Sequence, residues 1–174
     1  MAKVFVGFEA PQELSVPAKK HAACVARDYN FSMKGDIPVC FGVEMFILDD
    51  VDHFTRQLHR VLKRRQITPT STEIALNYLE TEWAIFFEAK SPHLQNAVTY
   101  LRNGLNNMGR SGLDIDVSPP RCYIADGLDT GQRALVMEAY ALITYPKSAT
   151  LNTVSVYVER DGVFQIESGY TLAP

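Results

Sequence analysis

The amino-acid sequence predicts an α+β fold of two similar lobes related by a pseudo-two-fold, with mainly antiparallel sheets around a central groove and helices packed outside. Three observations predict it. Segments of strand and helix character alternate along the chain, which is typical of helices packed on sheets. Pro38–Phe41 and Pro120–Tyr123 repeat the pattern Pro-x-Cys-aromatic in corresponding places of the two halves. Asp161-Gly162, a dipeptide favoured in type I′ turns, joins two apolar runs into a hairpin.

The first half contains two predicted strand–helix units. Lys3–Glu9 is an apolar run of strand character, and a helix is predicted to begin at about Ser15. Ile37–Leu48 is a predicted long strand, in which Gly42 indicates a bulge or a close approach of two backbones. Either residue of Asp49-Asp50 can cap the second helix. Its apolar residues recur at helical spacing and are Val51, Phe54, Leu58, Val61 and Leu62.

The second half begins on the same plan. Thr72–Tyr78 and Trp83–Ala89 are predicted antiparallel strands. Ser91-Pro92 is a strong helix start, because serine is a preferred N-cap and proline fits the first helical position. This helix is predicted to end near Gly109, and Leu113–Val117 alternates as a short strand.

The remaining elements complete a single predicted domain. Arg121–Ala125 is a predicted strand, and a helix follows over about Thr130–Leu142. The hairpin strands are Val154–Glu159 and Val163–Glu167. Because no linker or low-complexity segment interrupts the chain, we expect residues 1–174 to form one domain of two lobes.

Composition excludes several classes of protein. The chain has 174 residues, of which 47% are hydrophobic and 21% charged, so it can form a sizeable core and intrinsic disorder is not expected. Its net charge of −3 argues against coating of nucleic acid through bulk charge, but leaves room for a local basic face. A short chain of this kind would also suit a virus-encoded binder.

Cysteine usage and the N-terminal segment indicate a cytoplasmic protein. The three cysteines, Cys24, Cys40 and Cys122, lack metal-ligand spacing, and we expect them to be reduced. We interpret Cys40 and Cys122 as small core residues rather than a redox pair. Met1–Glu9 is too short and too soon acidic for a signal peptide, and no run reaches the ~20 apolar residues of a membrane span. No cofactor is predicted.

Several segments together resemble one known family. Phe5–Leu14 resembles its first strand and helix entry, and Trp83–Glu88 with the helix over Leu94–Met108 resembles a strand and helix of its second lobe. Pro120–Ala125 lies where the family has Pro-His-x-Thr-Leu. The chain thus resembles the two-histidine (2H) phosphoesterase superfamily, which includes bacterial RNA ligase-like cyclic phosphodiesterases. The resemblance covers nearly the whole chain and implies a two-lobed fold around a groove.

The sequence departs from this family at the catalytic motifs. The resemblance implies two facing His-x-Thr/Ser motifs, in which one histidine is the general base and the other the general acid. Here the second copy has Arg121 and Tyr123, and the first has Val39 and Phe41 or, in a shifted register, Gly42 and Glu44. Arginine stays protonated at neutral pH, and valine and phenylalanine carry no exchangeable proton. We therefore predict no catalytic residues and a protein that binds without cleaving.

Four residues are the predicted ligand-binding set. The Arg121 guanidinium can clamp a phosphate bidentately beside the Tyr123 hydroxyl. Tyr123 and Phe41 can offer rings for a base to stack on, and Glu44 is a further candidate. The alternative is that Arg121 is a surface arginine and Tyr123 a half-buried sheet aromatic.

The second helix carries a basic face away from its apolar stripe. Arg56, Arg60, Lys63 and Arg64 lie on it and are the predicted contact for a polyanion or an acidic partner. The alternative is a solvated helix face whose cations are favoured near the C-terminus by the helix dipole.

The histidines predict no metal site. The only literal His-x-Thr is His53-Phe54-Thr55, which we interpret as a coincidence at a helix start, with Phe54 pointing to the core. His21, His59 and His93 also fall on predicted helices, and no pair has metal-ligand spacing.

Three functions are consistent with these residues. The first is a degenerate 2H-like protein that binds a nucleotide, a cyclic oligonucleotide or an RNA end in its groove. The second is an active phosphodiesterase that uses non-standard residues, such as His53 or His21 with Tyr123. The third is a protein-binding scaffold or inhibitor on the same fold. The sequence does not determine the oligomeric state.

Overall fold

The computed structural model describes residues 1–28, 39–79, 84–108, 119–125 and 144–174, together with Ala134, Glu138 and Ala141. Within them, the strands are β1 (Ala2–Glu9), β2 (Cys40–Leu48), β3 (Thr70–Leu79), β4 (Ala84–Lys90), β5 (Arg121–Ala125), β6 (Ser148–Leu151), β7 (Thr153–Arg160) and β8 (Val163–Thr171). The helices are α1 (Gln12–Asp28), α2 (Val51–Arg65) and α3 (Pro92–Leu105), and a short 3₁₀ turn over Asn106–Met108 follows α3.

The strands form two four-stranded antiparallel sheets of the same plan. Sheet A has the order β2-β1-β7-β8, and sheet B has the order β5-β4-β3-β6. In sheet A the edge strand β2 pairs with β1, and α1 lies between these two strands in the chain. In sheet B the edge strand β5 pairs with β4, and α3 lies between these two strands in the chain. The predicted two-lobed α+β fold is therefore confirmed.

Local sequence signals set the helix ends. Asp50 caps α2, because its carboxylate accepts the backbone N–H of His53 at 2.7 Å. Ser91 caps α3 by accepting the N–H of Leu94 at 3.4 Å, as predicted. Helix α1 begins at Gln12, before the predicted Ser15, because the carbonyl of Pro11 already accepts helical N–H groups. Helix α3 ends at Leu105, earlier than predicted.

Two predicted backbone features are present. Gly7 pairs with Gly42 and Val6 pairs with Glu44, so Val43 is an extra residue in β2 and forms the predicted bulge. In the β7–β8 turn, Asp161-Gly162 has φ values of 55° and 81°, the two left-handed residues that a type I′ turn requires.

One hydrophobic core contains residues of both sheets and of all three helices. It lies on the face of each sheet that the helices cover and includes Phe8, Leu14, Phe41, Phe54, Phe87 and Leu101. At its edge, Arg102 of α3 reaches across to β2. Its Nε donates to the carbonyl of Val43 at 2.8 Å and lies 3.4 Å from the Glu44 carboxylate. This contact fastens the helix of one lobe to the bulge of the other.

Some predicted elements lie outside the described residues. The predicted strand over Leu113–Val117 is one of them. Trp83, the first residue of another predicted strand, also lies outside the described residues. Of the helix over Thr130–Leu142, only Ala134, Glu138 and Ala141 are described, and all three are helical. None of the helices among the described residues is long and apolar enough to span a membrane.

Candidate ligand-binding groove

The two edge strands β2 and β5 meet at the centre of the molecule. A Cβ built at Gly42 would lie 4.0 Å from the carbonyl oxygen of Arg121. The sheet faces turned away from the shared core flank this junction and form the candidate groove. Strand alternation decides which side chains face it, because successive residues point to opposite faces.

On sheet B, the groove face brings two of the predicted site residues together. Arg121 pairs with Glu88, and Tyr123 pairs with Phe86, so all four lie on one face. The Arg121 guanidinium carbon lies 4.8 Å from the centroid of the Phe86 ring. The Tyr123 ring lies 5.7 Å from the same ring at 51°. Phe86 is the buried floor on which the half-buried Arg121 and Tyr123 rest.

The Arg121 guanidinium has unused hydrogen-bonding capacity. Its Nε is buried and has no hydrogen-bond partner within the part of the chain that the structure describes. Leaving a buried charged donor unpaired is unfavourable by about 1–3 kcal/mol or more. An anion in the groove would remove this penalty, since a guanidinium presents its donors in a fork that matches phosphate or carboxylate.

On sheet A, the equivalent positions are small and apolar. Cys40 pairs with Glu9, and Gly42 pairs with Gly7, in the same arrangement as the sheet B pairs. The Phe5 ring occupies the space beside Gly42, since a Cβ there would lie 3.0 Å from it. A Cβ at Gly7 would lie 2.5 Å from the Cys40 sulfur. This half of the groove is therefore filled rather than open.

The structural repeat differs by one residue from the repeat seen in the sequence. The strand pairings make Cys40 the counterpart of Arg121 and Gly42 the counterpart of Tyr123. The sequence pattern instead aligns Cys40 with Cys122, which faces the core. A shift of one residue moves a side chain to the other face of a strand. The Pro-x-Cys-aromatic match therefore gives the wrong pairing of residues.

This shift removes two of the four predicted ligand-binding residues from the groove. Phe41 is fully buried in the shared core, so its ring is not available to a ligand. Glu44 is 4% exposed and faces Arg102 of α3 rather than the groove. Val39, the other residue considered for the first motif, packs against the core.

Sequence reasoning missed several residues of the sheet A groove face. Phe5 and Tyr157 have ring centroids 6.4 Å apart, and Phe164 lies 6.2 Å from Phe5. The fully buried Ser155 donates a short hydrogen bond to the Glu9 carboxylate. The sequence contained a signal for this covered face, because Val4–Phe8 has no polar residue. A strand with one solvated face would instead alternate apolar and polar residues.

Burial perturbs the titratable groups at the junction. Both Cys40 and Cys122 are free and buried. Burial raises the pKa of Cys122 to about 12. Burial, followed by the neighbouring Cys122, raises the pKa of Cys40 well above its usual value. The pKa of Tyr157 is also raised, chiefly by burial. These groups stay protonated near neutral pH, so neither thiol is an activated nucleophile.

These shifts predict a loss of stability in alkali. A thiol of the unfolded chain ionises near pH 9.0, whereas folded Cys122 keeps its proton up to about 12. The contribution of the Cys122 thiol to the free energy of unfolding is therefore fully present below pH 9.0. It is lost as pH rises from there, because the unfolded chain releases a proton that the folded chain keeps. Urea unfolding at about pH 8 and about pH 10.5 should show this fall, with a shallower slope in Cys122→Ala. Equal slopes in the two proteins would contradict the assignment.

The other predicted features lie on the helices. His53 begins α2 and Phe54 is fully buried, which confirms His53-Phe54-Thr55 as a helix start. His59 stacks on Tyr170 at 5.3 Å, and the side chain of His21 lies outside the described part of the chain. Among the described residues, no group of three metal-ligating side chains occurs. The exposed α2 cations are Arg56, Arg60, Lys63 and Arg64.

The two antiparallel sheets have matching strand orders, meet at their edge strands and carry their helices on the faces opposite the groove. This is the fold of the 2H phosphoesterases, as the sequence resemblance implied. Among solved structures, apo E. coli LigT superposes with a TM-score of 0.63 at 10% identity, covering 99% of this chain and 98% of LigT. A structure described as a phosphoesterase gives a TM-score of 0.61 at 11% identity, covering 100% of both chains. LigT complexed with 3′-AMP gives 0.59 at 12% identity, covering 99% and 98%. No family model and no curated protein matches the sequence.

Proposed function

We propose that this chain binds a nucleotide, a cyclic oligonucleotide or an RNA end in its groove and does not cleave it. The observation that carries the proposal is that Nε of Arg121 is buried and has no hydrogen-bond partner among the described residues. The guanidinium of this arginine lies over the Phe86 ring. The guanidinium would take the phosphate, and the Tyr123 hydroxyl would add a hydrogen bond from the same strand face. Phosphate binding is chemistry that an arginine and a tyrosine on one strand face can perform.

The residues on the two edge strands support binding without cleavage. Cleavage by acid–base catalysis needs two groups that exchange protons near neutral pH, one on each side of the phosphodiester. The described groove-facing side chains at the two motif positions are Cys40 and Gly42 on β2 and Arg121 and Tyr123 on β5. Glycine has no side chain, arginine stays charged, and burial raises the pKa of Cys40. These positions lack the required pair.

The solved structures of similar fold support the choice of ligand class. E. coli LigT has been solved with 3′-AMP, with ATP, with NADP⁺ and with phosphate. Each of these ligands carries a phosphate that an arginine can bind. The filled sheet A half makes the proposed site one-sided, so we expect the phosphate to be held from β5.

Binding and turnover are tested on the same protein. Isothermal titration calorimetry against linear and cyclic oligonucleotides and mononucleotides should give saturable binding for at least one of them. Incubation with 2′,3′-cyclic nucleotides and short RNAs, followed by chromatography, should show no product. Turnover would overturn the binding-only proposal, and the absence of binding across the panel would overturn the ligand class.

A protein partner is the second candidate, and one observation favours it. The groove face of sheet A also carries exposed apolar side chains, since Ile47 is 46% and Ile166 is 62% exposed. Strand pairing puts both on the face of Phe5. They lie on β2 and β8, the two edge strands of sheet A, and the Phe5 and Tyr157 rings lie on the same face of the two strands between them. An apolar face with exposed residues is typical of interaction surfaces. This candidate requires a partner whose binding is weakened by Ile166→Glu and not by Arg121→Ala.

A further inference from the structure

We propose that the outer face of α2 and the pocket at its C-terminal end bind a short single-stranded nucleic acid, separately from the groove. The phosphates would follow the cations of α2, and a base would enter the pocket against Tyr100. This goes beyond the proposed function, because it involves different residues on the opposite side of the sheets.

The charge of α2 is opposite to that of the chain as a whole. The helix contains five cations and one acid, Asp52, whereas the chain has a net charge of −3. Its cations are Arg56, Arg60, Lys63, Arg64 and Arg65, all exposed. None of them forms an ion pair with another described residue. From Arg56 to Arg64 the row extends ~12 Å at 1.5 Å per residue, so a backbone lying along it would contact several cations at once.

A pocket begins where this row ends. It has a volume of about 470 Å³ and lies between the end of α2, the segment leading to β3, and α3. This volume is within the range of ligand sites. Its walls include Arg65, Thr68, His93, Asn96 and Tyr100. These residues supply a cation, several hydrogen-bonding groups and one large aromatic ring.

Tyr100 gives the pocket its selectivity for a base. The ring is 46% exposed, and the Arg65 guanidinium carbon lies 5.4 Å from its centroid. The close packing of α2 on α3 produces this pair, since a Cβ at Gly104 would lie 2.7 Å from Val61. The guanidinium lies over the ring, and unpaired bases stack both on aromatic rings and on arginine guanidinium planes. An acidic protein segment would use the cations but has no need of the ring, so we favour nucleic acid.

Fluorescence anisotropy with a labelled single-stranded RNA of about ten nucleotides tests the proposal at low and moderate salt. Arg60→Glu with Arg64→Glu should weaken binding at least about 10-fold and flatten its dependence on salt. Tyr100→Ala should weaken it by about 5- to 100-fold, the range expected for one stacked base. Tyr100→Ala should leave binding of heparin, a polyanion without bases, unchanged.

Matched controls separate this surface from other causes. Lys19→Glu with Lys20→Glu reverses two exposed cations on α1 and should leave RNA binding unchanged. Because an RNA end is itself a proposed groove ligand, the RNA titrations of the α2 and Tyr100 variants are made in the Arg121→Ala background, which should retain RNA binding on α2. With Arg121 intact, the α2 and Tyr100 variants should retain mononucleotide binding in the groove. Thermal melts establish that each variant is folded.

Four results would overturn the inference. With the first and third measured in the Arg121→Ala background, they are RNA binding that survives reversal of the α2 cations, RNA binding lost in Arg121→Ala, no effect of Tyr100→Ala, and binding of an acidic peptide but not of RNA. The second result would assign the RNA to the groove and leave the proposed function standing. If only the groove proposal were wrong, the protein would not bind mononucleotides but would still bind RNA on α2.

Discussion

Replacing Arg121 by alanine is expected to weaken nucleotide binding by at least about 100-fold. Hydrogen bonds to charged groups are worth about 1.5–3 kcal/mol each, and a guanidinium can donate two to one phosphate. Every 1.4 kcal/mol is about tenfold in affinity. The measurement is a calorimetric dissociation constant for the tightest ligand found in the panel.

Two further variants make this result specific. Arg121→Lys keeps the charge but loses the planar fork and the stacking on Phe86, so it should fall between wild type and alanine. Arg160→Ala removes an arginine of the β7–β8 hairpin that is paired with Glu167, and it should leave affinity unchanged. Equal affinity of wild type and Arg121→Ala would refute the proposed site.

Replacing Phe41 by alanine is expected to destabilise the fold by about 3–5 kcal/mol, because a fully buried phenylalanine leaves a cavity in the shared core. For a chain of this length each kcal/mol corresponds to about 2–4 °C in Tm, so the melting temperature should fall by roughly 6–20 °C. Urea unfolding followed by circular dichroism gives the free energy directly.

The same residue distinguishes core from groove. Phe41→Leu retains most of the buried apolar volume, and its folded form should bind nucleotide as tightly as wild type. Tyr123→Leu is the matched groove variant and should lose affinity with a smaller effect on stability, since Tyr123 is only half-buried. If Phe41→Leu weakened binding while leaving stability unchanged, Phe41 would belong to the site after all.

Much of the architecture was predictable because its signals are local. Caps such as Asp50 and Ser91 act on residues three positions away. The Asp161-Gly162 turn depends on the φ values of two adjacent residues. Strands and helices follow from apolar periodicity, which is also read within a short window. The family resemblance added the relation between the two lobes.

The candidate site was only half predictable. Arg121 and Tyr123 share a face in any strand that contains both, so their partnership needed no tertiary information. Which residues of β2 oppose them depends on the register of β2 against β1, and the bulge at Val43 interrupts that register. A one-residue uncertainty there exchanges Phe41 for Gly42.

Local sequence patterns predicted the type and order of the described elements except β6, and they placed Arg121 and Tyr123 on the second edge strand, β5. Only the folded chain shows that Phe41 faces the core, that Glu44 faces Arg102, and that Arg65 lies against Tyr100. Each of these facts depends on residues that are brought together by strand pairing or helix packing. Local patterns do not encode such contacts, because the side-chain period of a strand is two and a shift of one residue reverses its faces.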